Sequence, residues 1–193
     1  MNPFSAYRKW RHSKGFGVHS PYAYRFVSDV IRPGRYGFYA YERVEPVLLK
    51  KGIRKYHSIP LIHFIIRLAN FLRAKRIVAL NVSDSLCPEI AAKAMEKPFN
   101  IIQKSEFSFL PGDFLIIDDN HPSSLPDSAV EELTLKAIES QIPILGLYPS
   151  PGIKKILESP IENGVLFNGG NKQVLIPRKE MEYVCYETTI KFR

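Results

Sequence analysis

From Arg76 onward the chain alternates short apolar runs with turn residues and helical stretches, and this alternation limits its possible folds more than any other feature. Arg76 to Val82 reads as a buried strand, followed by a loop at Ser83-Asp84-Ser85 and a helix from Pro88 to Met95. Asn100 to Gln103 reads as a second strand. After a turn at Pro111-Gly112, Asp113 to Asp118 reads as a third strand, and its end carries two adjacent carboxylates, Asp118 and Asp119. Asp127 to Ser140 has helical spacing, with Val130, Leu133, Ala137 and Ile138 inward. Ile142 to Tyr148 reads as a strand and Gly152 to Leu157 as a short helix. Three closing strands are expected at Gly164 to Phe167, Gln173 to Ile176 and Tyr183 to Phe192. Strands alternating with helices imply a mainly parallel sheet covered on both faces, with antiparallel strands at the end. The expected fold is a Rossmann-like α/β domain whose ligand site lies at the carboxyl ends of the strands.

Ahead of that pattern lies a segment of different character. Residues 1–55 hold 12 Lys+Arg against three acids, a net of +9 in a chain whose total is +8. The remainder, residues 56–193, is therefore close to neutral. A helix is expected over residues 3–14, and Ser20 and Pro21 form an N-cap and first helical position for a helix to about Ile31. Its inward face is Tyr22, Phe26, Val27 and Val30, and Pro33-Gly34 ends it. Helices are also expected from Tyr41 to Lys51, ending at Gly52, and from Ser58 through Leu72. The last shows an apolar stripe at Leu61, Phe64, Ile65, Leu68 and Leu72. Cations interleaved with aromatics could neutralise phosphates and stack on bases. The same aromatics could instead pack the segment onto the sheet while the cations stay solvated. The expected organisation is a basic aromatic helical extension, residues 1–55, and an α/β domain, residues 56–193, in a single compact unit.

Several classes are disfavoured. Cys87 and Cys185 cannot supply a disulfide framework, and their spacing fits no metal motif, so no metal is expected. The longest apolar runs are too short to cross a bilayer, and no membrane partner is expected. A soluble cytoplasmic protein is the default expectation.

The best catalytic cluster is Asp118, Asp119, Asn120 and His121, where the sheet should open. A carboxylate beside an imidazole could act as a general base on a hydroxyl or amine. Alternatively, Asp119 and Asn120 form an Asx-type turn before Pro122. Asn81, Ser83, Asp84 and Ser85 precede a helix whose first N–H groups could receive a ligand, or Ser85 or Asp84 simply caps that helix. Cys87 reads as a buried packing residue.

The order of elements, with three strings, resembles class I S-adenosylmethionine-dependent methyltransferases. The strings are His19-Ser20-Pro21-Tyr22 preceded by Gly17, Asp118-Asp119-Asn120-His121 closing a strand, and Gly164-Val165-Leu166-Phe167 followed by Asn168-Gly169-Gly170. More narrowly, the chain resembles a bacterial group with a basic N-terminal His-Ser-Pro-aromatic extension. The resemblance implies S-adenosylmethionine as cofactor, with Asn81, Ser83, Asp84, Ser85 and Asp119 near it. It also implies catalytic roles for Asp118, His121 and His19 toward a small-molecule or macromolecular acceptor; His19 could equally be part of a helix cap.

The departures from that family concern the cofactor. The family's acidic-Gly-x-x-x-Gly turn after the first strand is replaced by Leu80 to Leu86 without glycine. The acid that ends the second strand is replaced by Gln103-Lys104-Ser105, with Glu106 nearby. Residues 104–112 are too short for the family's third helix and third strand, so fewer elements than in the full seven-stranded methyltransferase core are expected. The fifth strand ends in Gly146-Leu147-Tyr148-Pro149, which cannot chelate a cation. A methyltransferase-like protein with a degenerate cofactor site follows, weakly active or inactive. The alternatives are an active methyltransferase with non-standard cofactor binding, and an RNA-binding or scaffold module using the basic N-terminus.

Overall fold

The structure, a computed structural model, describes residues 20–32, 38–53, 58–80, 86–119, 125–159 and 163–190. The expected helix over residues 3–14 and the stop at Pro33-Gly34 lie outside the described residues. Ser20 caps α1 (Pro21–Phe26), its Oγ accepting from the Ala23 N–H at 3.4 Å, with proline in the first turn. The helix continues as a π-helical turn, Val27–Ile31. The segment expected as one helix after it is two, α2 (Tyr39–Glu42) and α3 (Val44–Lys50), broken at Arg43. Then follow α4 (Ile59–Phe71), β1 (Arg76–Leu80), α5 (Leu86–Ala94), β2 (Phe99–Ile102) and β3 (Asp113–Asp118). The chain continues with α6 (Asp127–Glu139), β4 (Ile144–Leu147), α7 (Pro151–Glu158), β5 (Asn163–Asn168), β6 (Lys172–Glu182) and β7 (Val184–Glu187).

Four helices end in the same way, which explains boundaries that glycine counting misses. After α3, Gly52 (φ 75°) takes the left-handed position, while Ile53 N–H reaches Leu48 O and Gly52 N–H reaches Leu49 O. This pair of bonds satisfies carbonyls that a helix end otherwise leaves open. The identical pair closes α4 around Arg73 (φ 52°), α5 around Glu96 (φ 56°) and α6 around Gln141 (φ 59°). The last three lack glycine, and each accepts a conformational cost of the order of 1 kcal/mol. Helix α5 starts at Leu86, two residues earlier than expected, with Pro88 inside its first turn where no N–H is needed.

The strands form one mixed sheet in the order β2-β1-β3-β4-β6-β5-β7. β1 to β4 are mutually parallel where paired, and β6 runs antiparallel between β4 and β5. Expected and observed agree that β1 and β3 are neighbours and that residues 104–112 do not hold both a helix and a strand; they hold neither. The sheet has seven strands, the number read along the sequence, three of them from the closing segment. One expectation is corrected. The last of the three, β7, is parallel to β5 and covers Val184–Glu187, with residues 188–190 outside any strand; the expected end at Phe192 lies outside the described residues.

Alternation along the strands divides the core into two layers. Ile77, Phe114, Ile116, Leu145, Phe167 and Val174 face the layer built with α1, the π turn, α3, α4 and α5. Val78, Leu80, Leu115, Ile117, Leu166 and Leu175 face the layer of α6 and α7. Helices therefore cover both faces. Helix α4 is buried on more than the single stripe its spacing suggests: Ile62, Ile66 and Ala69 are also inaccessible, because α1, the π turn and α5 flank it. The described part of residues 1–55 is integral to the first layer, with Ala23, Phe26, Val30, Val44 and Leu48 buried in it. Phe26 stacks on Phe167 of β5 at 3.9 Å between ring centres and meets Phe71 of α4 edge-on at 5.4 Å.

Candidate functional site

The chain leaves β1 at Leu80, paired beside Ile117, and returns after β2 to the opposite side of β1 as β3. Strand order thus reverses between β1 and β3. In open α/β sheets, ligands bind in the crevice outside the carboxyl ends of the strands at such a reversal. Asp118 closes β3 there and is half-buried. Its position is the one expected of it. His121, His19, Asn81, Ser83, Asp84 and Ser85 lie outside the described residues.

Asp119 is committed to a structural contact. Its Oδ2 accepts the Ser150 N–H at 3.0 Å, and its own N–H donates to Leu147 O at 3.2 Å. Ser150 in turn caps α7, its Oγ accepting from Ile153 N–H at 3.5 Å. Between them Tyr148 adopts φ 48°, its N–H donating to Asn171 O at 2.7 Å. The carboxylate therefore ties the end of β3 to the loop joining β4 and α7. This is a long-range tether, whereas the sequence suggested either a cofactor contact or a local Asx turn.

Further along the same edge, the structure assembles a polar group that sequence spacing did not reveal. Glu158 Oε1 accepts from Asn168 Nδ2 at 2.9 Å and from Gln173 Nε2 at 2.7 Å. Gln173 and Thr188 are fully buried, and Gln173 Oε1 and Thr188 Oγ1 have no hydrogen-bond partner among the described residues. Nearby, burial pushes the Tyr183 phenol up to about 12, with the charges of Cys185 and Glu158 adding to it. Burial lowers the Lys172 ammonium below its ordinary value. The only sequence signal for this group was that Asn168 and Gln173 interrupt apolar runs at the two ends of a hairpin. Chemically it fixes the β5–β6 turn: Gly170 N–H also donates to Asn168 Oδ1 at 2.9 Å.

Arg67 is the second residue that sequence spacing passed over. It lies within the apolar run of α4, is 2% exposed, and donates from Nε to Val30 O at 3.0 Å and from Nη1 to the Tyr41 hydroxyl at 2.9 Å. Tyr41 also stacks on His63 at 4.0 Å. Burial raises the Tyr41 phenol, and burial with the Arg67 charge lowers the His63 imidazole. Of the N-terminal aromatics, Phe26 is core, Tyr22 and Tyr41 are half-buried in ring contacts, and Tyr24 and Tyr39 are exposed. Cys87 is buried, as expected, and Cys185 is exposed.

No family model, no curated protein and no solved structure matches the chain. No helix among the described residues is long and apolar enough to cross a membrane.

Proposed function

We propose that the chain is an S-adenosylmethionine-dependent methyltransferase-like protein on a Rossmann-like sheet, with a degenerate cofactor site that leaves it weakly active or inactive. The observation that carries the reading is the reversal of strand order between β1 and β3, with Asp118 at its mouth. Helices on both faces and the antiparallel insertion of β6 before β5 support the same reading. The degeneracy rests on chemistry at three places around that mouth. Residues 81–85, between β1 and α5, contain no glycine, the residue type that lets backbone approach a cofactor closely. Beyond β2, Gln103-Lys104-Ser105 offers no carboxylate to grip ribose hydroxyls. Asp119 spends one carboxylate oxygen on the Ser150 N–H. Where catalysis persists, Asp118 and His121 are the groups to take a proton from an acceptor, small molecule or macromolecule. The engagement of Phe26, Tyr22 and Tyr41 in packing favours a scaffold role for residues 1–55 over a base-stacking nucleic-acid surface.

Thermal unfolding in 1 mM S-adenosylhomocysteine tests the reading. A dissociation constant near 1 mM adds only about 0.4 kcal/mol, a rise of about 1 °C. A micromolar site would add about 4 kcal/mol and raise the midpoint by about 8 °C or more. The larger rise would overturn the degenerate reading in favour of an active enzyme with non-standard cofactor binding.

A further inference from the structure

A cavity of about 940 Å³ opens at the amino ends of the parallel strands, the opposite end of the sheet from Asp118. Pro143, just before β4, and Arg178 of β6 form one side; α1 with its π turn and the last turn of α4 form the other. Among the described residues, four arginines line it, Arg25, Arg67, Arg73 and Arg178, against one acid, Asp29. Asp29 lies 3.9 Å from Arg25, and Glu180, outside the lining, lies 3.7 Å from Arg178, so the cavity keeps a surplus of two positive charges, those of Arg67 and Arg73. The C-terminal end of α4 opposes this with about half a negative charge, which leaves the surplus largely intact.

Arg67 supplies an independent pointer. Two of its nitrogens are matched, but Nη2 is buried and has no hydrogen-bond partner among the described residues. A guanidinium held rigidly by two bonds, with a third donor unmatched beside a cavity, is preorganised for an anionic acceptor. Arg178 is also held in place, lying 4.6 Å over the Tyr22 ring. Phe38 and Phe71 add aromatic surface to the same cavity. A volume of this size takes a ligand of nucleotide dimensions, larger than a lone inorganic ion.

We propose that this cavity binds a nucleoside phosphate or a close chemical equivalent. Its phosphates meet Arg67, Arg73 and Arg178, and its planar ring lies against Phe38 and Phe71. The guanidinium fork suits phosphate oxygens because it offers two parallel N–H donors in one plane. The site is separate from the cofactor crevice and stands whether or not that crevice binds anything.

The test is calorimetric titration of the full chain with ADP, pyrophosphate and adenosine. ADP is expected to bind with a dissociation constant of about 100 μM or below, pyrophosphate about tenfold more weakly, and adenosine not measurably at 1 mM. Arg178→Gln and Arg73→Gln alter partly or fully exposed side chains, so each variant should keep its circular dichroism while losing at least about fivefold in ADP affinity. Arg67→Lys keeps the charge but loses the planar fork, and should weaken ADP as well. Asp118→Asn should leave ADP binding unchanged. The proposal is overturned if ADP fails to bind below 1 mM, or if adenosine or pyrophosphate equals it. Indifference to both Arg178→Gln and Arg73→Gln would overturn it too, as would sensitivity to Asp118→Asn, which would move the ligand to the other end of the sheet.

Discussion

Phe26→Ala tests whether the N-terminal helix is part of the cooperative fold. Phe26 is wholly inaccessible, stacked on Phe167 of β5 and edge-on to Phe71 of α4. Truncating a buried phenylalanine costs about 3–5 kcal/mol through lost transfer energy and the cavity left behind. Two aromatic pairs place Phe26 toward the upper end, because each adds about 0.5–1.5 kcal/mol beyond burial. For a chain of this size the midpoint should fall by about 6–20 °C. Urea unfolding followed by circular dichroism would measure the loss, with the denaturant slope unchanged if the cavity opens inside one cooperative unit. Tyr24→Ala on the same helix is the control: that ring is 54% exposed and should cost no more than about 0.5 kcal/mol. A Phe26→Ala loss below about 1 kcal/mol, or a changed slope, would refute the integral packing and make the segment a detachable appendage.

Three further outcomes follow from named contacts. Asp113 is 3% exposed and accepts both Arg76 Nε at 2.7 Å and Nη2 at 2.5 Å, so Asp113→Asn should cost about 3–5 kcal/mol in urea unfolding, by stranding the guanidinium. Hydrogen bonds from Lys51 and Lys93 hold the Glu89 carboxyl below its ordinary 4.5, so its stabilisation is present at neutral pH and fades as pH falls below 4.5 through the folded value. Glu89→Gln should therefore cost about 0.5–1 kcal/mol at pH 7, with the difference from the parent shrinking in acid unfolding curves run below pH 4.5. Gln141 occupies a left-handed helix end at φ 59°, and Gln141→Gly should raise stability by about 0.5–1 kcal/mol in thermal melts.

What the sequence made legible was whatever local chemistry decides. Ser20-Pro21 starts a helix because a hydroxyl cap and a missing N–H are both suited to that place. Asp113 to Asp118 is a strand in which four successive apolar residues are buried because both sheet faces are covered. The ends of α4, α5 and α6 were legible to within one residue from where the apolar spacing stops, although Arg73, Glu96 and Gln141 stand where glycine is the usual marker. The parallel pairing of β7 with β5 was hidden because nothing in a four-residue strand specifies which neighbour it joins. At the candidate site, Asp118 could be placed from strand-end position alone. The tether from Asp119 to Ser150 spans 31 residues, and the contacts of Glu158 depend on how a helix and a hairpin meet. Arg67 was concealed by its neighbours: a lone cation in an apolar run reads as a surface residue until α1, α2 and the π turn close over it.

The central proposal is that the crevice between the ends of β1 and β3 binds S-adenosylmethionine weakly or not at all. Isothermal titration of the full chain with S-adenosylmethionine and S-adenosylhomocysteine measures this directly. The account predicts dissociation constants no tighter than about 1 mM for either, worth roughly −4 kcal/mol. Micromolar binding of either compound, lost on substituting Asp118, would contradict it.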